Sequence, residues 1–320
     1  MRNLLPDIGP DGGYATLPSE ALEAWMAGVK EIVGRHGIRV TSVSRFARGE
    51  NPVFEINDRL VVKLLPRRSA HIALREVDCL GWLSQCKTVP LPKLVGSGQL
   101  EEWSYLISTK LPGLPLSERW AELGGANQEA VALELGQMLS KLHDIPLGGF
   151  SPGGVQWQDF LVQRTTAWFG RSSVARLPPR LRDSGPEYIA QAQLGRIDSR
   201  TVFLHGDLAP ENCLVSQEGG TCRITGVLDF GNAMAGHALF DFTALTVLLA
   251  PGNAKIIHEF FKGYGLGRGV AAGLQRQLMA YTLLHPLGGL SQILGLMPGL
   301  DRYGTWDEVA ERFWPAAAMP

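Results

Sequence analysis

The chain has 320 residues, about two domains' worth at a typical ~150 per domain, or one domain with two lobes. Hydrophobic residues make up 45% and charged residues 19%, enough to bury a core and unlike a disordered polyelectrolyte. Thirty basic residues against 31 acidic ones leave a net charge of −1, which excludes nucleic-acid binding carried by bulk charge.

The first 18 residues, which include MRNLLPDIGPDGG, read as a loose Gly- and Pro-containing leader without the apolar core of a signal peptide. Ser19 then stands as an N-cap for a helix with apolar positions at Leu22, Trp25, Met26, Val29, Ile32 and Val33, stopped at Gly37. Three β-rich runs follow at 41–46, 52–56 and 60–65, separated by ARGENP and by Asn57-Asp58-Arg59, and predict an antiparallel meander. A helix is expected from 69 to 85, then two further strands that end at SYLISTKLPG. Beyond Gly113 helical patterns dominate, at 127–143, 157–169, 241–249, 253–264 and 270–284, with one β-rich interruption at 202–230. No apolar stretch reaches the ~20 residues a membrane helix needs. The four cysteines, Cys79, Cys86, Cys213 and Cys222, form no C-x-x-C pair and read as reduced thiols. A cytoplasmic protein is expected.

Chemistry concentrates in TVFLHGDLAPENCLVSQEGGTCRITGVLDFGN. Asp207, Asn212 and Asp229 sit at strand ends bracketing one hairpin, so their side chains should converge. Taken singly, each Asp could merely cap a turn; the joint spacing is much harder to reach by accident. A carboxylate to orient and deprotonate a hydroxyl, with amide and carboxylate oxygens for Mg²⁺, is what phosphoryl transfer requires. Lys63 lies in the strand LVVKLL, and Glu76 lies on the apolar face of the next helix with Ala73, Leu80 and Leu83. A buried Glu needs a partner, and Lys63 is the obvious one.

H-G-D-L-x-P-x-N followed by D-F-G resembles the catalytic and metal loops of the protein-kinase-like fold, and specifically the aminoglycoside phosphotransferase family, hygromycin-type enzymes included. The resemblance spans about 40–300, although only 205–231 is specific in detail. It implies a bilobal α+β fold, with a small antiparallel-sheet lobe at 1–110 and a larger, mainly helical lobe at 111–320. It further implies ATP- or GTP-dependent phosphorylation of a hydroxyl on a small polar molecule, with Asp207 catalytic and Asn212 and Asp229 holding Mg²⁺. Lys63 would bind the nucleotide phosphates, fixed by Glu76. Gly49 and Asn51 would form the nucleotide loop, and Ser108 and Lys110 the hinge.

Gly206 and Ala209 stand where protein kinases carry Arg and usually Lys. Only nine residues separate Gly231 from Asp241, with no A-P-E, which leaves no activation segment. That disfavours a protein kinase, while retention of all five core groups, Lys63, Glu76, Asp207, Asn212 and Asp229, disfavours an idle nucleotide-binding module. A cationic acceptor, an aminoglycoside or aminocyclitol, would need carboxylates, for which Asp159, Glu187, Glu211 and Asp301 are candidates; a sugar, homoserine or choline-like acceptor is the alternative. Neither nucleic acid nor membrane is an expected partner, and a monomer or weak dimer is expected. Asp241 matches the second Asp of the family's G-D-P-x-x-D-L motif, with His237-Ala238 in place of Asp-Pro, and should tie the metal loop to the next helix. His205 reads as a hydrogen-bonder behind the catalytic loop and His143 as a capping or packing residue. Trp157, Phe160, Trp168 and Phe169 are expected to be core, and VQWQDFLVQR resembles a segment of hygromycin-type enzymes.

Overall fold

The structure, a computed structural model, describes residues 3–7, 22–47, 49, 51–150, 156–194, 201–266, 273–286, 290–296 and 299–320. The expected N-cap Ser19 lies outside them. Two compact units result. The first comprises Met1–Cys86, Pro90–Leu111 and Asp229–Asn232; the second comprises Lys87–Val89, Pro112–Leu228 and Ala233–Pro320.

In the first unit, helix α1 (Leu22–Arg35) buries the stripe Trp25, Val29, Ile32 and Val33. Strands β1 (Val43–Arg45), β2 (Val53–Ile56) and β3 (Leu60–Pro66) form the expected antiparallel meander. Asn57 and Asp58, both at positive φ (55° and 57°), turn the three-residue β2–β3 connection at 57–59, and the Arg59 N–H donates to Ile56 O at 3.2 Å. Helix α2 (Ala70–Trp82) follows, then β4 (Leu94–Leu100) and β5 (Trp103–Thr109). The sheet order is β1-β2-β3-β5-β4, which makes β5 a central strand, buried along nearly all its length. Trp25 meets Trp103 edge-on at 5.2 Å inside a core completed by Phe54, Val62 and Ile107.

Part of the expected loose leader is fastened to this unit. Glu101 accepts the backbone N–H groups of Leu4 and Leu5 at 2.7 and 3.0 Å, and Trp103 Nε1 donates to Pro6 O at 2.9 Å. Leu5 is buried against Gly28, where a Cβ would meet Leu5 Cδ2 at 2.3 Å.

The second unit begins with β6 (Leu114–Pro115), α3 (Leu116–Arg119) and α4 (Gly125–His143). Helices α5 (Trp157–Thr166), α6 (Ser172–Ala175) and α7 (Pro179–Gln191) precede strands β7 (Thr201–Leu204), β8 (Cys213–Glu218), β9 (Thr221–Val227) and β10 (Met234–His237). Strand β10 pairs with β7, and β6-β8-β9 form a second small sheet. The chain continues through α8 (Leu239–Leu249), α9 (Ala254–Tyr264), α10 (Leu274–Leu284), α11 (Leu290–Leu296) and α12 (Trp306–Phe313). Helix α8 is apolar all round and almost entirely buried, the mark of a core helix. Helices α4 and α9 approach backbone to backbone: a Cβ on Gly136 would lie 2.1 Å from Phe260 O, and one on Gly263 2.0 Å from Leu133 O.

Helix α7 was not expected, because Gly185 and Pro186 argue against a helix there. Pro186 has no N–H for the carbonyl four residues back, Arg182 O; Trp168 Nε1 supplies a donor at 3.0 Å instead. A Cβ on Gly185 would strike the Trp168 ring at 2.2 Å, so the same glycine that weakens the helix admits the indole that repairs it. Among the described residues no helix is long and apolar enough to cross a membrane.

Candidate active site

In the first unit, of the face the spacing predicts, Ala73, Glu76 and Leu80 are buried on α2 and Leu83 is buried just beyond its end, and Cys79 joins them. Lys63 Nζ lies 2.8 Å from Glu76 Oε2 and 2.8 Å from Asp229 Oδ1. Burial alone would lower the lysine's pKa; Glu76, then Asp229, outweigh it and hold the ammonium above its ordinary value. Burial pushes the Glu76 carboxyl up, against the pull of Lys63. Asp229 adopts φ +66°, a left-handed conformation that Asp tolerates better than most residues. Gly231 lets its segment lie against α2: a Cβ there would sit 2.4 Å from Ile72 Cγ2, and Arg75 Nη1 donates to Gly231 O at 3.2 Å. One buried cation thus gathers two carboxylates from distant parts of the sequence.

Gly49 has φ +119° between β1 and β2, where glycine is at home, and Asn51 is half-buried just before β2. Ser108 is buried in β5, opposite Val61 on one side and Leu94 on the other. The N–H groups of Thr109 and Lys110 already donate to Lys93 O and Arg59 O, and Lys110 Nζ is 2.7 Å from Glu55 Oε1.

In the second unit, β7 runs into His205-Gly206-Asp207. Asn212 Nδ2 donates to Asp207 O at 2.9 Å and approaches Asp207 Oδ2 at 3.4 Å. With its nitrogen so engaged, the Asn212 amide presents its oxygen as the atom suited to a cation. His205 Nδ1 accepts from the Asp207 N–H at 3.3 Å while Nε2 donates to Leu228 O at 2.9 Å, a neutral tautomer. The Leu228 N–H in turn donates to Asn212 O at 2.9 Å. The residue immediately before Asp229 is therefore tied to the Asp207–Asn212 loop.

Asp241 does something other than expected. Its carboxylate accepts from the backbone N–H groups of His205 (2.7 Å) and Gly206 (2.8 Å) and from His143 Nε2 (3.1 Å). It anchors the His205–Asp207 loop and not the segment around Asp229, because α8 points it at the end of β7. Burial raises its pKa, but the His143 hydrogen bond and charge outweigh that and hold it below the usual value. His143 is accordingly a partner of Asp241, with Nδ1 2.9 Å from Tyr264 OH. Ala238 is helical (φ −48°, ψ −41°), the backbone a proline would have favoured, so the motif's departure leaves this turn intact.

The four candidate acceptor carboxylates are scattered: Asp159 on α5, Glu187 on α7, Glu211 in the turn after Pro210, and Asp301 after Gly299, all exposed. No hydrogen bond or ion pair among the described residues joins any two of them; Glu187 instead accepts from Gln191 Nε2. A groove of about 610 Å³ between α5 and α7 is lined by Leu161, Val162, Thr165, Ile189, Gln193 and Leu194 among others, with no carboxylate. Trp157 and Phe160 pack on Phe240, and Trp168 on Trp306, as core; Phe169 is 62% exposed, contrary to expectation, because the chain leaves α5 at Thr166.

The model of the phosphotransferase enzyme family matches residues 42–274, and the chain belongs to that family. The aminoglycoside 3'-phosphotransferase of Streptomyces fradiae is 28% identical over 189 residues, 55% of this chain and 66% of that protein. A probable ketoamine kinase of Klebsiella aerogenes is 27% identical over 176 residues, 49% of this chain and 57% of that one. The chain thus spans just under two thirds of the first relative's length, and less of the second's. The GDP complex of wild-type aminoglycoside 2'-phosphotransferase-IIIa superposes with a TM-score of 0.68 at 17% identity, covering 92% of this chain and 97% of that chain, a likeness of fold.

Proposed function

We propose that the protein transfers the terminal phosphoryl group of ATP or GTP to a hydroxyl of an aminoglycoside or aminocyclitol. The observation that carries this reading is the buried Lys63 ammonium held at 2.8 Å by both Glu76 and Asp229, an arrangement costly to bury without a purpose. Lys63 steadies the nucleotide phosphates, and Glu76 fixes Lys63. Gly49 and Asn51 border the phosphates, and 108–110 border the base. Asp207 orients the acceptor hydroxyl and takes its proton as the oxygen attacks phosphorus. The hard oxygens of Asn212 and Asp229 fit Mg²⁺ chemically. When bound, Mg²⁺ neutralises charge on the transferred phosphoryl group. Asp159, Glu187, Glu211 and Asp301 are the carboxylates offered to a cationic acceptor. The enzyme works in the cytoplasm as a monomer or weak dimer, on small molecules and not on nucleic acid or membrane.

The likeness to a probable ketoamine kinase, and the scatter of the four carboxylates, favour one second reading: an amine-bearing sugar as metabolic acceptor. A coupled nucleotide-turnover assay over aminoglycosides, aminocyclitols, fructosamine-type ketoamines and simple amino alcohols decides between them. Mg²⁺-dependent turnover with an aminoglycoside supports the first reading and turnover only with ketoamines the second. Failure to bind ATP or GTP in the presence of Mg²⁺ refutes both.

A further inference from the structure

Helix α10 ends at Leu284, and its last carbonyls lack N–H partners within the helix. Two of them are taken by guanidiniums from one neighbouring segment. Arg164, near the end of α5, donates Nε to Leu284 O at 2.8 Å; Arg171, just before α6, donates Nη1 to Leu283 O at 2.8 Å. Each guanidinium carries five N–H groups, so these bonds leave donors over. Arg171 lies over the Trp168 ring, 5.5 Å from its centroid, which sets the plane of its fork.

The charge does not balance here. Both side chains are half-buried, and among the described residues neither forms an ion pair with a carboxylate. A helix C-terminus offers only about half a negative charge against two full positive ones. Burial lowers the pKa of Arg164, and burial with the Arg164 charge brings Arg171 to about 10. Two like charges held together in a partly dry place, one fork set by the Trp168 ring and the other by its bond to Leu284 O, are arranged as guanidiniums are for an oxyanion.

We propose that Arg164 and Arg171 bind a small tetrahedral oxyanion, a phosphate ion or the phosphoryl group of a phosphate monoester, at the C-terminus of α10. Lys63 belongs to the other unit. The anion completes the charge of the cluster and ties the α5–α6 segment to α10.

The test uses the full chain and inorganic phosphate at matched ionic strength in chloride, read by calorimetric titration and by the thermal midpoint. A parallel arm uses glycerol phosphate. At ten times Kd, phosphate should raise the folding equilibrium constant about 11-fold. Lys63→Gln should retain this response, whereas Arg164→Gln and Arg171→Gln should each weaken binding by at least ~10-fold. Arg171→Lys, which keeps the charge without the fork, should fall between. Tighter binding of the monoester assigns the site to a phosphorylated molecule, and equal or weaker binding assigns it to the free ion. If wild type gives neither heat nor a midpoint shift, the proposal is overturned. It is equally overturned if the Arg variants lower the midpoint by the same amount with and without phosphate, since the arginines would then only cap the helix.

Discussion

Asp241 carries a load that can be removed in steps. Its Oδ2 accepts from the His205 N–H and from His143 Nε2, while Oδ1 accepts from the Gly206 N–H. In Asp241→Asn the amide keeps one oxygen. Placed where Oδ2 stands, it retains His205 and His143 and turns its NH₂ toward the Gly206 N–H. One buried donor is then stranded, at about 1–3 kcal/mol, and the surviving bonds lose their charge assistance, roughly another 1 kcal/mol. The sum is about 2–4 kcal/mol. Asp241→Ala strands all three donors and should cost about 3–9 kcal/mol. Urea denaturation measures the totals, and amide hydrogen exchange locates them. Gly206 should lose at least ~30-fold in protection in Asp241→Asn, the equivalent of about 2 kcal/mol, while His205 loses less. Turnover should fall at least ~10-fold through misplacement of Asp207, with nucleotide affinity little changed. Unchanged Gly206 protection, or an alanine variant within 1 kcal/mol of wild type, would show that the carboxylate does not hold this loop.

Asp207→Asn should reduce turnover by ~10²–10⁴ and leave nucleotide affinity nearly intact, whereas Asp229→Asn should weaken Mg²⁺-dependent nucleotide binding as well; steady-state kinetics with nucleotide titration separate the two. Because the folded pKa of Asp241 is depressed, its stabilisation is complete above the unfolded value near 4 and is lost as pH falls through the folded value. The Asp241 contribution to the stability gap between wild type and Asp241→Asn should therefore narrow below about pH 4; a gap that widened there would contradict this sign. Gly136→Ala pushes a Cβ to 2.1 Å from Phe260 O, so α4 and α9 must part, at about 1–3 kcal/mol in denaturation.

Much of the molecule was legible wherever local chemistry decides. The β-rich runs and the Asn57-Asp58-Arg59 turn predict the meander, and a Glu on an otherwise apolar helix face announces its partner Lys63. What escaped depends on distant contacts. Helix α7 survives Pro186 only because Trp168 takes the freed carbonyl, a rescue that no window around residue 186 contains. Asp241 stands alone in the apolar run of α8, which was a signal that it must be hydrogen-bonded, but not of what it would hold. The pairing of β10 with β7 joins four-residue strands whose composition, MAGH against TVFL, has no alternation to read. Charge alone singles out Asp159, Glu187, Glu211 and Asp301 as acceptor candidates, and charge on an exposed surface does not say which way a cleft lies.

The fastening of residues 3–7 makes this short segment visible to an optical probe. Leu5 occupies a notch beside the Trp25 layer, and Pro6 O is the hydrogen-bond acceptor for the Trp103 indole. Trp25 and Trp103 are each only 1% exposed. Detaching the segment, for instance by Glu101→Gln or by trimming residues 1–7, would wet both indoles, so their emission should shift to the red and become open to acrylamide quenching. Two tryptophans thus act as a built-in gauge of whether the chain's first residues are seated, readable without any label and independent of turnover.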